Sequence, residues 1–183
     1  EKINGSIPSM GKAIAERNEE WIKDIAKKQA DSGADFIDCC ASVEEGEVET
    51  LHWMIDLIQS VTDTPIAVDS PNAAVCVEGM KFCNKPGLIN SVSGEGDKID
   101  VVFPVIADTE WNVVALLSGD DGIPQNVEKR MENFNKARFA PRESWKKLIF
   151  FITEWLTGKK PSFYPEAVCR YGADEEVTDE NFD

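Results

Sequence analysis

Short apolar runs, each closed by small or polar residues, recur along this chain with room for one helix between them. They are Ala34-Asp35-Phe36-Ile37-Asp38-Cys39, Pro65-Ile66-Ala67-Val68-Asp69-Ser70-Pro71-Asn72, Pro86-Gly87-Leu88-Ile89-Asn90-Ser91 and Asn112-Val113-Val114-Ala115-Leu116-Leu117-Ser118. Each run is too short and too uniformly apolar for an amphipathic helix. It reads as a strand buried on both faces, which implies a parallel sheet covered by helices. Polar groups at the carboxyl ends of such strands lie where α/β folds keep their sites. A single Asp69 could simply cap the following helix; the same arrangement four times over marks the rim of a site.

The segments between the runs read as helices and turns. Residues 1–6 read as a loop, and Ser9 as a cap for a helix that includes Lys12, Ala13, Ile14 and Ala15. A second helix follows Asn18, with Trp21, Ile22, Ile25, Ala26 and Gln29 at helical spacing and a stop at Ser32-Gly33. Glu45 to Ser60 is amphipathic, with Val48, Leu51, Ile55 and Ile58 on one stripe. Asn72 or Ser70 can cap a helix through Val75, Val77 and Met80 to Cys83. Ser93-Gly94-Glu95 should start another through Ile99, Val102 and Phe103 toward Ala107, kinked or shortened by Pro104. A turn at Asp120-Asp121-Gly122-Ile123-Pro124 leads to a helix from Val127 to Phe139. Strands alternating with helices at this spacing imply βαβ units with right-handed crossovers.

Beyond Ala140 the pattern changes. Trp145, Leu148, Ile149, Ile152, Trp155 and Leu156 fit one amphipathic helix, ended by Gly158. The expected organisation is a domain over 1–139, a C-terminal helix within 140–160, and an acidic tail over 161–183. That tail is poor in apolar residues and is expected to be disordered.

Composition narrows the function classes. The 183 residues suffice for one domain with a real core, and 42% hydrophobic with 29% charged residues is a soluble globular balance. A net charge of -15 with no basic cluster excludes a nucleic-acid surface. No apolar run reaches membrane-spanning length and no leader pattern opens the chain, so no membrane role is expected. Five cysteines, an odd number, read as reduced thiols of a cytoplasmic protein rather than a disulfide frame. There is no Cys-x-x-Cys pair, and the single histidine, His52, sits beside Trp53 on a helix, so no metal site is expected.

Five segments in order carry a family resemblance: Glu1-Lys2-Ile3-Asn4-Gly5, Phe36-Ile37-Asp38-Cys39-Cys40-Ala41-Ser42, Val68-Asp69-Ser70-Pro71-Asn72, Ile89-Asn90-Ser91 and Gly122-Ile123-Pro124. Together, over about residues 1–137, they resemble the pterin-binding (dihydropteroate synthase-like) family, and within it the methyltetrahydrofolate:corrinoid methyltransferases. The branch that serves anaerobic O-demethylation is the most similar. The resemblance implies a (β/α)8 TIM-barrel type of α/β fold, partial here, with about four parallel βα units and an extra C-terminal helix. Its open sheet edges would be covered by that helix or by a second copy in a homodimer.

The resemblance also implies a function in one-carbon metabolism. Asp69 and Asn90 would hold the pterin ring of tetrahydrofolate or methyltetrahydrofolate, and Asn4, Asp38, Ser70, Asn72 and Ser91 would stand around the same mouth. A carboxylate can accept two N–H bonds from a pterin edge, while an amide both gives and accepts. No residue is assigned a catalytic role. No Asp-x-His-x-x-Gly corrinoid signature is present, so cobalamin would be carried by a partner corrinoid protein. Two other readings stay open: a non-catalytic pterin-binding or interaction remnant, and a dihydropteroate synthase-like enzyme.

Overall fold

A computed structural model describes residues 2–138 and 148–151, with side chains described as far as residue 135. The chain divides into two units, Glu1–Asn90 and Ser91–Asp183.

The first unit holds β1 (Ile3–Asn4), α1 (Pro8–Ala15), α2 (Glu19–Asp31), β2 (Ile37–Cys40), α3 (Glu47–Gln59), β3 (Ile66–Asp69), α4 (Ala73–Met80) and the start of β4 (Leu88–Gly94). Strands β1 to β4 lie side by side in chain order, all parallel. The apolar runs form strands because both faces find cover: Ile37, Cys39, Val68 and Ile89 are fully buried. Leu51, Ile55 and Ile58 of the α3 stripe are fully buried as well, together with Met54. On α2 the inward residues are Ile22 and Ala26, whereas Trp21 stays 44% exposed at the edge of its stripe.

Local chemistry sets the helix ends. The Asn18 side chain accepts from the Trp21 N–H at 3.1 Å, and Asn72 accepts from the Ala74 N–H at 3.0 Å, each satisfying a donor that the helix leaves open. Gly33, at φ 82, supplies the left-handed residue that stops α2. Helix α1 starts one residue before Ser9. Pro8 occupies its first turn, where its missing N–H costs nothing, and Ile7 is the cap position.

One glycine fixes which way the strands face. A Cβ on Gly79 of α4 would lie 2.7 Å from Val68 Cγ1 and 2.9 Å from Leu51 Cδ2. Helix α4 therefore sits directly on β3 and α3, and Val68 points into the helix layer. Alternation along the strand then turns Ala67 and Asp69 to the opposite face.

In the second unit, β4 ends at Gly94 and is followed by α5 (Lys98–Ile106), β5 (Asn112–Gly119), α6 (Val127–Arg138) and β6 (Leu148–Phe151). Strands β5 and β6 are parallel, with Val113 opposite Leu148 and Leu116 opposite Phe151. Val102, Phe103, Ile106, Trp111, Val113, Val114, Ala115 and Phe134 are buried there. The Asn133 amide donates to the Leu117 carbonyl at 3.0 Å, which ties α6 to the end of β5. Parallel strands separated by helices give the α/β class and the βα repeat of a (β/α)8-type barrel.

Four expectations need correction. Residues 3–4 are a strand, not loop: two residues are too few to show alternation, and their pairing with β2 makes them β1. Ser93 and Gly94 finish β4 instead of opening a helix, and α5 starts after Asp97. The shortening expected of Pro104, as one alternative to a kink, does not occur at that residue, since α5 continues to Ile106. Leu148-Ile149-Phe150-Phe151 is a strand and not part of a C-terminal helix. A short unbroken apolar run fits either element by periodicity, and β-branched and aromatic residues favour the strand. The rest of the expected helix within 140–160, and the acidic tail over 161–183, lie outside the described residues.

Candidate functional site

Register builds the site. Asn4 is opposite Cys40, Cys40 opposite Asp69, and Asp69 opposite Asn90. Partners in register on a parallel sheet share a face, and for this row it is the face turned away from the helices. Asn4, Cys40 and Asp69 are the last residues of β1, β2 and β3. Four polar or ionisable side chains thus stand in one line across four strands, at the carboxyl ends of β1, β2 and β3 and at the third residue of β4.

Asp38 lies one step behind the row, two residues before Cys40 and so on the same face. It is 6% exposed, and its Oδ1 accepts from Asn90 Nδ2 at 2.9 Å. That bond crosses β3 above Ala67, the register partner of Asp38. Alanine's single methyl leaves the gap through which the two side chains meet. An ionised carboxylate can only accept, so the Asn90 nitrogen must face Asp38, leaving Oδ1 as an acceptor for another partner.

Cys40 is the member of the row that the sequence did not single out. Burial, then the negative charge of Asp69, pushes its thiol up to about 12. Asp69 thus works against the thiolate, and the Ser42 hydroxyl acts the other way by favouring it. Cys39, on the opposite face, is also raised well above its ordinary value, by burial first and Asp38 second. The signal for Cys40 was present in the sequence: with Asp38 on the inner face, a period of two puts Cys40 there too.

The other expected site residues have structural partners. Ser70 is 3% exposed; its hydroxyl donates to Glu47 Oε1 at 2.8 Å and accepts from the Asn72 N–H at 3.0 Å. Asn72 caps α4. Asn4 keeps its place in the row, and its Oδ1 accepts from the Ser6 N–H at 2.9 Å. Ser91 is half-buried at the start of the second unit. The structure therefore gathers Asp38, Asp69, Asn90 and Asn4, while Ser70 and Asn72 build the β3–α4 turn. His52 stacks on Phe82 with ring centroids 3.9 Å apart and lies 3.3 Å from Asp56 at the surface. Among the described residues no group of three or more His, Cys, Asp or Glu could hold a metal ion, and no helix is long and apolar enough to cross a membrane.

Residues 8–146 match the family described as pterin binding enzyme. The chain belongs to that family. It is 47% identical over 135 residues to the methylcorrinoid:tetrahydrofolate methyltransferase of Eubacterium limosum, an overlap covering 72% of this chain and 50% of that protein. It is 30% identical over 135 residues to the methionine synthase of Mycobacterium leprae, covering 70% of this chain and 11% of that one. An uncharacterized protein of Methanocaldococcus jannaschii is 26% identical over 136 residues. The chain spans about half or less of the length of these relatives. Of the row, Cys40, Asp69 and Asn90 fall within the matched span, as does Asp38, while Asn4 precedes it.

Proposed function

We propose that this chain carries the pterin-binding part of a methyltransferase that moves a methyl group between methyltetrahydrofolate and a corrinoid protein. The observation that carries this reading is the Asp38–Asn90 hydrogen bond beside Asp69 in register. A pterin presents N–H donors next to a carbonyl acceptor. Asp69 can accept two N–H bonds at once, and Asn90, its amide already oriented by Asp38, presents an oxygen of fixed direction. Asn4 stands at the far end of the same row. Ser70 and Asn72 would act indirectly, by holding the turn that follows Asp69.

The corrinoid, carried by a partner protein, would supply the cobalt chemistry when bound. This chain's residues would hold and orient the folate head group, so that its methylated nitrogen is presented in a fixed geometry. The relative of E. limosum, named for transfer between a methylcorrinoid and tetrahydrofolate, supports that pairing. Anaerobic O-demethylation in the cytoplasm, with a homodimer covering open strand edges, is the setting we propose.

Calorimetry with tetrahydrofolate tests the site. Asp69→Ala is expected to abolish measurable binding while circular dichroism stays as in the wild type. Unchanged affinity in that variant would remove Asp69 from the site and end this reading. A methyl-transfer assay with added corrinoid protein then separates binding from turnover.

A further inference from the structure

Ser70, the residue after Asp69, is 3% exposed and has every polar atom engaged. Its N–H donates to the Asn90 carbonyl at 3.3 Å, and its own carbonyl accepts from the Cys76 thiol at 3.5 Å. Its hydroxyl accepts from the Asn72 N–H at 3.0 Å and donates to Glu47 Oε1 at 2.8 Å. Asn72 and Cys76 belong to the turn and helix that follow β3, and Asn90 is on the neighbouring strand. Glu47 is the distant partner, 23 residues earlier in the chain. The left-handed Gly46, at φ 65, turns the chain into α3 with Glu47 as its first residue.

We infer that Glu47 is a positioning residue for the Asp69–Asn90 pair, acting through Ser70. Its bond comes from the helix layer, whereas the row of Asn4, Cys40, Asp69 and Asn90 faces the other way, so Glu47 reaches the site from behind. A hydroxyl has one proton to give, and a bond to a carboxylate is charge-assisted. Without Glu47 that proton would be stranded at a buried position, and the turn would have to shift to find another acceptor. The peptide between Asp69 and Ser70 would shift with it. That peptide also carries the N–H that holds the Asn90 carbonyl. The placement of Asp69 and that of Asn90 beside it therefore depend on the same anchored residue.

An acid that only favoured the N-terminal end of α3 would leave Ser70 and the row undisturbed when replaced. The inference rests on the proposed pterin site for the identity of the ligand; the tie between Glu47 and the strand end is read without one. The test is amide hydrogen exchange followed by NMR in the 183-residue chain, as wild type, Glu47→Ala, Glu47→Gln, Ser70→Ala and the double alanine variant. Calorimetry with tetrahydrofolate is run on the same five proteins.

In Glu47→Ala the Ser70 amide is expected to exchange about tenfold faster, through local opening of the strand end. The Ile37 amide, which bonds to the Pro65 carbonyl at the other end of the β2–β3 pairing, should change less. Tetrahydrofolate should bind about tenfold more weakly, the lower end of what one hydrogen bond to a charged group contributes. Glu47→Gln keeps an acceptor oxygen and should restore most of both readings. In the Ser70→Ala background, Glu47→Ala should lower the affinity no further, since both act through one bond. Unchanged Ser70 exchange and affinity in Glu47→Ala, an equal rise at Ile37, or the same loss of affinity with and without Ser70 would each overturn the inference. Ser70→Ala removes the bond from its buried side and carries the test should Glu47→Ala fail to fold; wild-type affinity there would also overturn it. Failure of the pterin reading is a different result: no tetrahydrofolate binding by the wild-type chain, with Ser70 exchange still answering to Glu47.

Discussion

The bond between Asn90 and Asp38 joins side chains 52 residues apart, so breaking it should reveal how much the site's geometry contributes to the fold. Asp38 is 6% exposed, which leaves little water to replace a lost donor. A hydrogen bond to a charged group contributes about 1.5–3 kcal/mol, and stranding a buried acceptor costs a similar amount. Asn90→Ala should therefore destabilise the protein by about 2–3 kcal/mol. Asp38→Ala removes the charge together with its need for a donor. In that background Asn90→Ala should cost about 1 kcal/mol, the loss of ordinary packing and one amide. The coupling energy of the cycle is then about 1–2 kcal/mol, above the ~0.5 kcal/mol within which independent sites add.

Urea unfolding followed by tryptophan fluorescence measures all four corners of this cycle, provided the dependence on urea is the same in each. Asn90→Asp sharpens the experiment. It places a second carboxylate where the amide donor was, and at neutral pH it should destabilise more than Asn90→Ala because the two charges repel. Additive single mutants, or an Asn90→Asp variant as stable as the wild type, would mean that the amide and carboxylate are not coupled across β3.

Two further outcomes follow from packing and from the half-buried Cys83 thiol. Gly79→Ala should destabilise by about 1–3 kcal/mol in the same assay, since its new Cβ meets the side chains of Val68 and Leu51, both fully buried; the gain in helix propensity, at most ~1 kcal/mol, is too small to offset this. Burial raises Cys83 to about 12, so the folded state keeps a proton that the unfolded chain releases near pH ~8.5. That contribution is complete below the unfolded value and is lost as pH rises through the folded one. Stability should decline as the solution is made more alkaline than the unfolded thiol's midpoint, and Cys83→Ser should flatten the decline.

The strands were legible because each ends an unbroken apolar run with a polar residue, and that pattern survives without any knowledge of tertiary contacts. Asp69 and Asn90 follow from it directly, each closing such a run, although β4 continues past Asn90 to Gly94. Their link to Asp38 does not. It depends on register and on the small size of Ala67, neither of which one strand's sequence contains. Asp69-Ser70-Pro71-Asn72 shows the opposite limit: three adjacent polar side chains can each serve the site or the turn. Only the Glu47 and Ala74 partners assign Ser70 and Asn72 to the turn. At Leu148–Phe151 the ambiguity lies in the pattern itself, because four consecutive apolar residues suit a buried strand and a helix face alike.

The charge of the row also limits what it can hold. Asp38 and Asp69 are both acceptors in their ionised forms, and the Asn90 amide on β4 spends one of its donors on Asp38. No lysine or arginine belongs to the row. A phosphate or carboxylate brought to this face would meet like charge in a partly desolvated setting, where such repulsion is poorly screened. A neutral edge rich in N–H groups would meet acceptors already aimed. On the proposed reading, selection would come from the sign and direction of the lone pairs, which the strand register sets before any ligand arrives.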